Sequence, residues 1–351
     1  MRYQEYWTVS GAPNAESYAR TIQSPGTVGV RFGVRGVELT LCLGVLVGLL
    51  ACAPKKGVVV SGTPNAAPRA AADTTAASQE STRPSSGFAW SVLGTSTQVT
   101  LMGSIHVGFD GLYPLPEPML RAFRESTTLA MELALDQEPP ERITELLVQS
   151  ATLPKGQTLH DCLSEEAWLR YQDFAVRHED QAKFFNGYRP WFVAVFLSGE
   201  KSELNGYDPN QGLDLYFFNQ RGSRRVVGVE KAQDHVRALA ELPAATQELM
   251  LLEQLDAMKQ SEDELASVVQ LWKAGDADGL AQEMFGEFDD PQYAPVYDAL
   301  IVKRNEHMTK QIETWLAGKE RVFVVLGAGH FVGKDGIVAR LTHDGWVPHR
   351  L

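Results

Sequence analysis

The chain reads as an α/β fold: a mixed sheet with an N-terminal hairpin, flanking helices and a mostly helical cap insertion. Three observations predict it. Short apolar runs of strand character alternate with helical segments from Phe88 onward, the pattern of strands joined by helices. A turn cluster, Gly94-Thr95-Ser96-Thr97, splits the first two apolar runs, which is a hairpin signal. The stretch from Arg189 to about Gly286 is helical apart from one strand-like break, so it reads as a cap over one edge, roughly residues 189–287.

The two runs of "FAWSVLGTSTQVTLMGSIH" form the hairpin. A helix is predicted around Pro118–Glu125, then a buried strand in Thr127–Leu133. Pro139–Gln149 and Ser164–Arg177 are helical, Ser164 serving as the start signal of the second. "RRVVGVE", Arg224–Glu230, is the strand that interrupts the cap. "YAPVYDALIVKRNEHMTKQIETWLAG" predicts a helix of some six turns, and "RVFVVLGAGH" a buried strand. "DGIVARLTHDG" is a short helix stopped by Gly345, and "WVPHRL" a last edge strand.

The residues before Phe88 read as an address. Leu39–Ala51 is a thirteen-residue apolar run preceded by Arg31 and Arg35 and ending in "LLAC" at Cys52. It is short for a membrane span and fits the apolar core of a secretory signal, with an uncleaved anchor helix as the alternative; both readings export the domain. The cysteine resembles the lipidation site of a bacterial lipoprotein, so residues 1–51 are expected to be a signal and Cys52 the lipid-bearing residue. Ala53 after it, rather than Asp, favours the outer membrane by the same resemblance. Residues 62–87 are rich in Ala, Ser, Thr and Pro without an apolar period, so the stretch 52–87 is expected to be a flexible tether. Of three cysteines only Cys162 falls in the folded part, which therefore has no internal disulfide. The chain has 351 residues and a formal charge of −12. That charge argues against a nucleic-acid partner, which needs a basic face.

One short phrase occurs twice. "LMGSIHVG" carries Gly103 and His106, and "VVLGAGHFVG" carries Gly327, Gly329 and His330. Each is an apolar strand ending in Gly-x-x-His. Two further strands end on acids, Glu132 and Glu230. In open α/β sheets, ligands bind at the carboxyl ends of the strands. If the four strands are parallel neighbours, two imidazoles and two carboxylates converge there. Such donors suit Mn²⁺, Co²⁺ or Zn²⁺, and an ion with an open position activates water for hydrolysis. Glycine at 103, 327 and 329 lets backbone approach a ligand closely. Singly, each histidine also reads as a turn residue and each glutamate as a solvated cap; the roles of Glu132 and Glu230, ligand or general base, stay open.

Arg304 lies on the apolar stripe of the long helix, with Leu300, Met308 and Ile312, and Asn305 sits beside it. A core-facing arginine either snorkels to water or pairs with a carboxylate.

With these residues in view, "LMGSIHVGFDGLYPLPEPMLRAF", "TTLAMEL", "RPW", "GLDLYFFNQ", "VVGVEKAQDHVRAL", "RNEHM" and "VFVVLGAGHFVGKDGIVARLTHDGWVPHRL" resemble the TraB/GumN family across residues 88–351. That family includes the Tiki-type membrane-tethered metalloproteases and is similar in fold to the erythromycin-esterase and ChaN-like proteins. The resemblance implies a divalent-metal-dependent hydrolase acting on a peptide or protein. It implies His106, Glu132 and His330 at the metal, and Glu230, Arg304 and Asn305 in the site. A ligand- or peptide-binding lipoprotein without catalysis is the alternative.

Overall fold

The structure, a computed structural model, describes residues 88–260 and 264–351. The expected signal, the lipidation cysteine Cys52 and the tether lie outside the described residues.

Six strands form one mixed sheet: β1 Ala89–Leu93, β2 Gln98–Ser104, β3 Thr128–Met131, β4 Arg225–Gly228, β5 Val322–Gly327 and β6 Pro348–Arg350. Their spatial order is β4-β3-β5-β2-β1-β6. The first four in that order run parallel to their neighbours. The hairpin adds β1 antiparallel to β2, and β6 closes on β1, also antiparallel. The chain's last segment thus shields one edge with only three residues, one of them Pro348, which suits an exposed edge.

The strands β2, β3 and β5 are buried almost throughout. This is why they read as unbroken apolar runs: a parallel sheet covered on both faces has no polar side to alternate with. The covering helices are α1 Glu117–Glu125, α2 Pro140–Ala151, α3 Glu165–Arg177, α4 Glu179–Phe185, α5 Pro190–Leu204, α6 Leu213–Asn219, α7 Ala232–Ala240, α8 Ala244–Ala257, α9 Glu264–Ala274, α10 Ala277–Phe285, α11 Ala294–Tyr297, α12 Lys303–Leu316 and α13 Ile337–His343. Ser164 caps α3, its hydroxyl accepting from the Ala167 amide at 3.2 Å. Gly345 comes after α13 at φ +91°, a left-handed turn that returns the Trp346 amide to the Leu341 carbonyl.

The long helix expected near residues 294–316 is helical throughout but not uniform. Asp298–Val302 is a π turn between α11 and α12. The wider turn rotates α12 relative to a continuous α-helix, immediately before Arg304. Among the described residues no helix is long and apolar enough to cross a membrane.

Candidate metal centre

Four neighbouring parallel strands each deliver a side chain from just past their ends to one edge. His106 comes after β2, Glu132 after β3, Glu230 after β4 and His330 after β5. Convergence is a consequence of register. β5 lies between β2 and β3 and pairs with both, so its His330 emerges between His106 and Glu132.

Glu132 is the hub. Its Oε1 lies 4.0 Å from His106 Nε2 and 3.7 Å from His330 Nε2, and it accepts the Gly327 amide at 2.8 Å. Its Oε2 accepts from Arg304 at 2.9 Å. Two nitrogens each this close to one oxygen are near enough to serve a common ion, given metal–ligand bonds of about 2.0–2.2 Å. All three side chains are buried: His106 is 4 % exposed, Glu132 8 % and His330 1 %.

The far nitrogen of each imidazole is already taken. His106 Nδ1 donates to Asp214 Oδ2 at 2.7 Å, and the Ser104 hydroxyl donates to the other oxygen at 3.1 Å. His330 Nδ1 lies 2.6 Å from Asn305 Oδ1. The Asn305 amide nitrogen donates to the Asp335 carbonyl at 2.9 Å, so its oxygen faces the ring and Nδ1 carries the proton. The lone pair of His330 is then on Nε2, which is buried and has no hydrogen-bond partner.

Electrostatics reflect these partners. Burial opposes a charged His106, but the charge and hydrogen bond of Asp214, with Glu132, overcome it and raise its pKa to about 9. His330 has only a neutral amide behind it; burial and the charge of Arg304 push it down to about 4. Burial would raise Glu132, yet Arg304 and the two histidines hold it at about 2.

Arg304 is 6 % exposed and does not snorkel. Its Nε and one terminal nitrogen donate to the two oxygens of Glu230, at 2.8 and 2.6 Å, a fork-to-fork pair. The same terminal nitrogen reaches Glu132. Although burial opposes it, this fork keeps Glu230 well below the usual carboxylate range. Ligand atoms of Glu132, Glu230 and His235 also lie within 4.8 Å of one another. The Arg304 guanidinium contacts all three, at 2.9, 2.6 and 3.4 Å, so a cation already fills that space. The better place for an ion is the opposite side of Glu132, facing the histidines. On the Glu230 side a surface cleft of about 630 Å³ opens between α7 and the π turn, with Glu230 and Arg304 in its lining.

The glycines separate by role. A Cβ on Gly327 would stand 3.1 Å from His106 Nε2 and 3.2 Å from Glu132 Oε1, inside the donor cluster. One on Gly103 would press the Ala328 backbone at 3.1 Å, and one on Gly329 the tip of Met284 at 2.8 Å. Those two glycines serve packing around the cluster.

Sequence reasoning did not single out Ser104, Asp214 or His235. Asp214 left a signal: it is the one acid in the apolar helical run "LDLYFF" and is 3 % exposed, and a buried carboxylate needs a partner.

Known proteins share parts of this chain. It is 23 % identical over 145 residues to the uncharacterized protein YbaP of Escherichia coli (strain K12), a match covering 41 % of this chain and 52 % of that protein. The chain thus spans about half the length of that relative. It is 20 % identical over 278 residues to an uncharacterized protein of Treponema pallidum, covering 71 % of this chain and 78 % of that one. It is 24 % identical over 303 residues to Metalloprotease TIKI1 of Danio rerio, covering 70 % of this chain and 59 % of that one. No solved structure matches it. The profile of the TraB/PrgY/gumN family matches residues 88–350, which include His106, Glu132, Glu230, Arg304 and His330, and the chain belongs to that family.

Proposed function

We propose that this protein is a metal-dependent hydrolase of peptide bonds, exported and held to a membrane, with the outer membrane favoured, by a lipid on Cys52. The observation that carries the reading is the pair of imidazoles whose Nδ1 atoms are tied to buried acceptors while both Nε2 atoms face one carboxylate oxygen. Locking Nδ1 to a carboxylate or amide oxygen is how a metal-binding histidine is commonly oriented. The metalloprotease name of the TIKI1 relative points the same way.

The residues fit a divalent ion on two further counts. A buried ring nitrogen without a partner, His330 Nε2, is costly unless something binds it. Asp214, Glu132 and Glu230 carry three formal negative charges against one positive charge on Arg304. Once His106 gives up the proton that its raised pKa of about 9 lets it hold, two negative charges remain, and one divalent cation in place of that proton neutralises them. His106 and His330 Nε2 with Glu132 would hold it, a donor set suited to Mn²⁺, Co²⁺ or Zn²⁺. When bound, the ion supplies a polarising centre for the scissile carbonyl and lowers the pKa of water.

The protein's own groups do the rest. Asp214 and Asn305 aim the two rings. Arg304 pins Glu132 by one oxygen and leaves the other toward the histidines. Glu230, held in a fork and poor at accepting protons, positions Arg304 rather than serving as general base.

Metal analysis of the purified protein, with a peptide-library cleavage assay, tests the reading. A stoichiometric transition metal and a cleavage activity, both lost in His106→Ala, are expected. Saturable peptide binding with no metal and no cleavage would replace it with a ligand-binding lipoprotein. For the anchor, Cys52→Ser should abolish lipid labelling; labelling that persists would remove it.

A further inference from the structure

The donor cluster is sealed. With His330, His106 and Glu132 between 1 and 8 % exposed, no peptide bond reaches them unless part of the structure moves. The cleft beside Glu230 is no route, because Arg304 stands between it and Glu132.

Three of the walls are built in. β2, β3 and β5 are central ladders of the sheet. The segment carrying Asp214 is tied by backbone, Leu213 N–H to the Ile105 carbonyl at 3.0 Å and paired bonds between Gly108 and Asp208. α12 is held by the buried Arg304 pairs. The fourth wall is the α9–α10 hairpin, which contributes no strand to the sheet. Trp272 of α9 donates one hydrogen bond to the Gly103 carbonyl at 2.9 Å, and Lys273 one to the Asp110 carbonyl at 3.1 Å. From α10, side-chain tips rest on the His330 turn: Met284 and Phe285 against Gly329, Phe285 and Ala281 against Gly333. Arg350 also donates to the Gly275 carbonyl at 3.1 Å, and Trp272 and Leu280 are buried. Among the described residues, however, no backbone-to-backbone hydrogen bond ties α9–α10 to the rest of the fold, so side-chain contacts alone hold it in place, and these can break and remake as one unit.

We propose that α9–α10 is a displaceable cover, and that ligands reach His106, Glu132 and His330 beneath it, meeting its Met284–Phe285 face. The proposal rests on reading that cluster as the reactive site. An apolar face of this kind takes a ligand with an apolar group beside the reacting bond, since a charged group would be desolvated there.

A reversible clamp tests it. A Cβ on Gly333 lies 3.7 Å from the Ala281 Cβ, inside the range of about 3.5–4.5 Å for a disulfide, although the φ of +78° at Gly333 strains any side chain placed there. The double variant Ala281→Cys, Gly333→Cys ties α10 to the His330 turn when oxidised and releases it when reduced. The probe is diethyl pyrocarbonate, which acylates an unprotonated ring nitrogen, applied to the full chain after chelator treatment and read by peptide mass spectrometry. His330 is the reporter and exposed His343 the internal reference. Oxidation should slow acylation of His330 relative to His343 by about tenfold or more, as expected if access requires local opening, and reduction should restore it. Equal rates in both states, with the bridge shown to be formed, would overturn the proposal. If the double variant does not fold, Trp272→Phe removes one grip and should raise the His330 rate; no rise would count against the cover. Neither readout needs metal or turnover, so failure here leaves the hydrolase reading standing, and the reverse.

Discussion

Arg304 and Glu230 face each other through two parallel hydrogen bonds, Nε to Oε1 at 2.8 Å and a terminal nitrogen to Oε2 at 2.6 Å, inside the protein. The same guanidinium holds Glu132 at 2.9 Å. One buried cation therefore keeps two strand-end carboxylates ionised and in place. Replacing it by Met leaves both without their shared cation, so Arg304→Met should cost about 3–5 kcal/mol, the penalty of an uncompensated buried charge. Urea unfolding of the variant measures this. A value within about 0.5 kcal/mol of the parent, typical of surface changes, would contradict it.

Acid should act through the same groups. Both carboxylates titrate below their ordinary value when folded, Glu132 at about 2. A depressed folded pKa gives stability that is fully present above the unfolded value, 4.5, and lost as pH falls toward the folded one. The metal-free protein should lose stability between about pH 5 and pH 2, and Arg304→Met should flatten that loss. Urea midpoints across this range would settle it.

The partner of each histidine should matter to metal affinity more than to folding. Asp214→Asn retains the shape and removes the charge behind His106, and Asn305→Ala removes the acceptor behind His330. Each should weaken metal binding by roughly 10–100-fold, the usual cost of losing such a partner. Competition titration against a chelator reads it, and unchanged affinity in both variants would argue that no ion sits on Nε2.

His106 and His330 should behave as one unit. If they share an ion, either single alanine change removes nearly as much activity as the double change, as groups acting together do. Fully additive losses in the cleavage assay would mean two independent roles.

Glycine substitutions should sort by geometry. Gly327→Ala places a methyl between His106 and Glu132, so metal affinity should fall while the melting temperature changes little. Gly103→Ala meets backbone and should lower the melting temperature instead. The reverse order would show the glycine assignments to be wrong.

Much of the fold was legible in the chain because local rules and tertiary demands agree. β3 and β5 are buried on both faces and so had to be written as apolar runs. The hairpin is announced by its turn residues, and the helix ends by Ser164 and Gly345. His106, Glu132, Glu230 and His330 were legible for a related reason: each interrupts an apolar run where a parallel strand presents its end, and the repeated Gly-x-x-His marks two of them.

Spatial order was not legible. No local signal states that β5 inserts between β2 and β3, yet that insertion brings His330 beside His106 across more than two hundred residues. Nor could residue type decide whether Arg304 snorkels or pairs, because helix periodicity sets the direction of a side chain and not what waits there. The π turn ahead of it changes even that direction. Asp214 shows the limit most clearly. Its helix is remote from β2 in sequence, and its meaning as the hydrogen-bond partner of His106 exists only once the chain between them has folded back. Side-chain pairing between distant elements depends on packing of the whole core, whereas strands and turns depend on neighbours a few residues away.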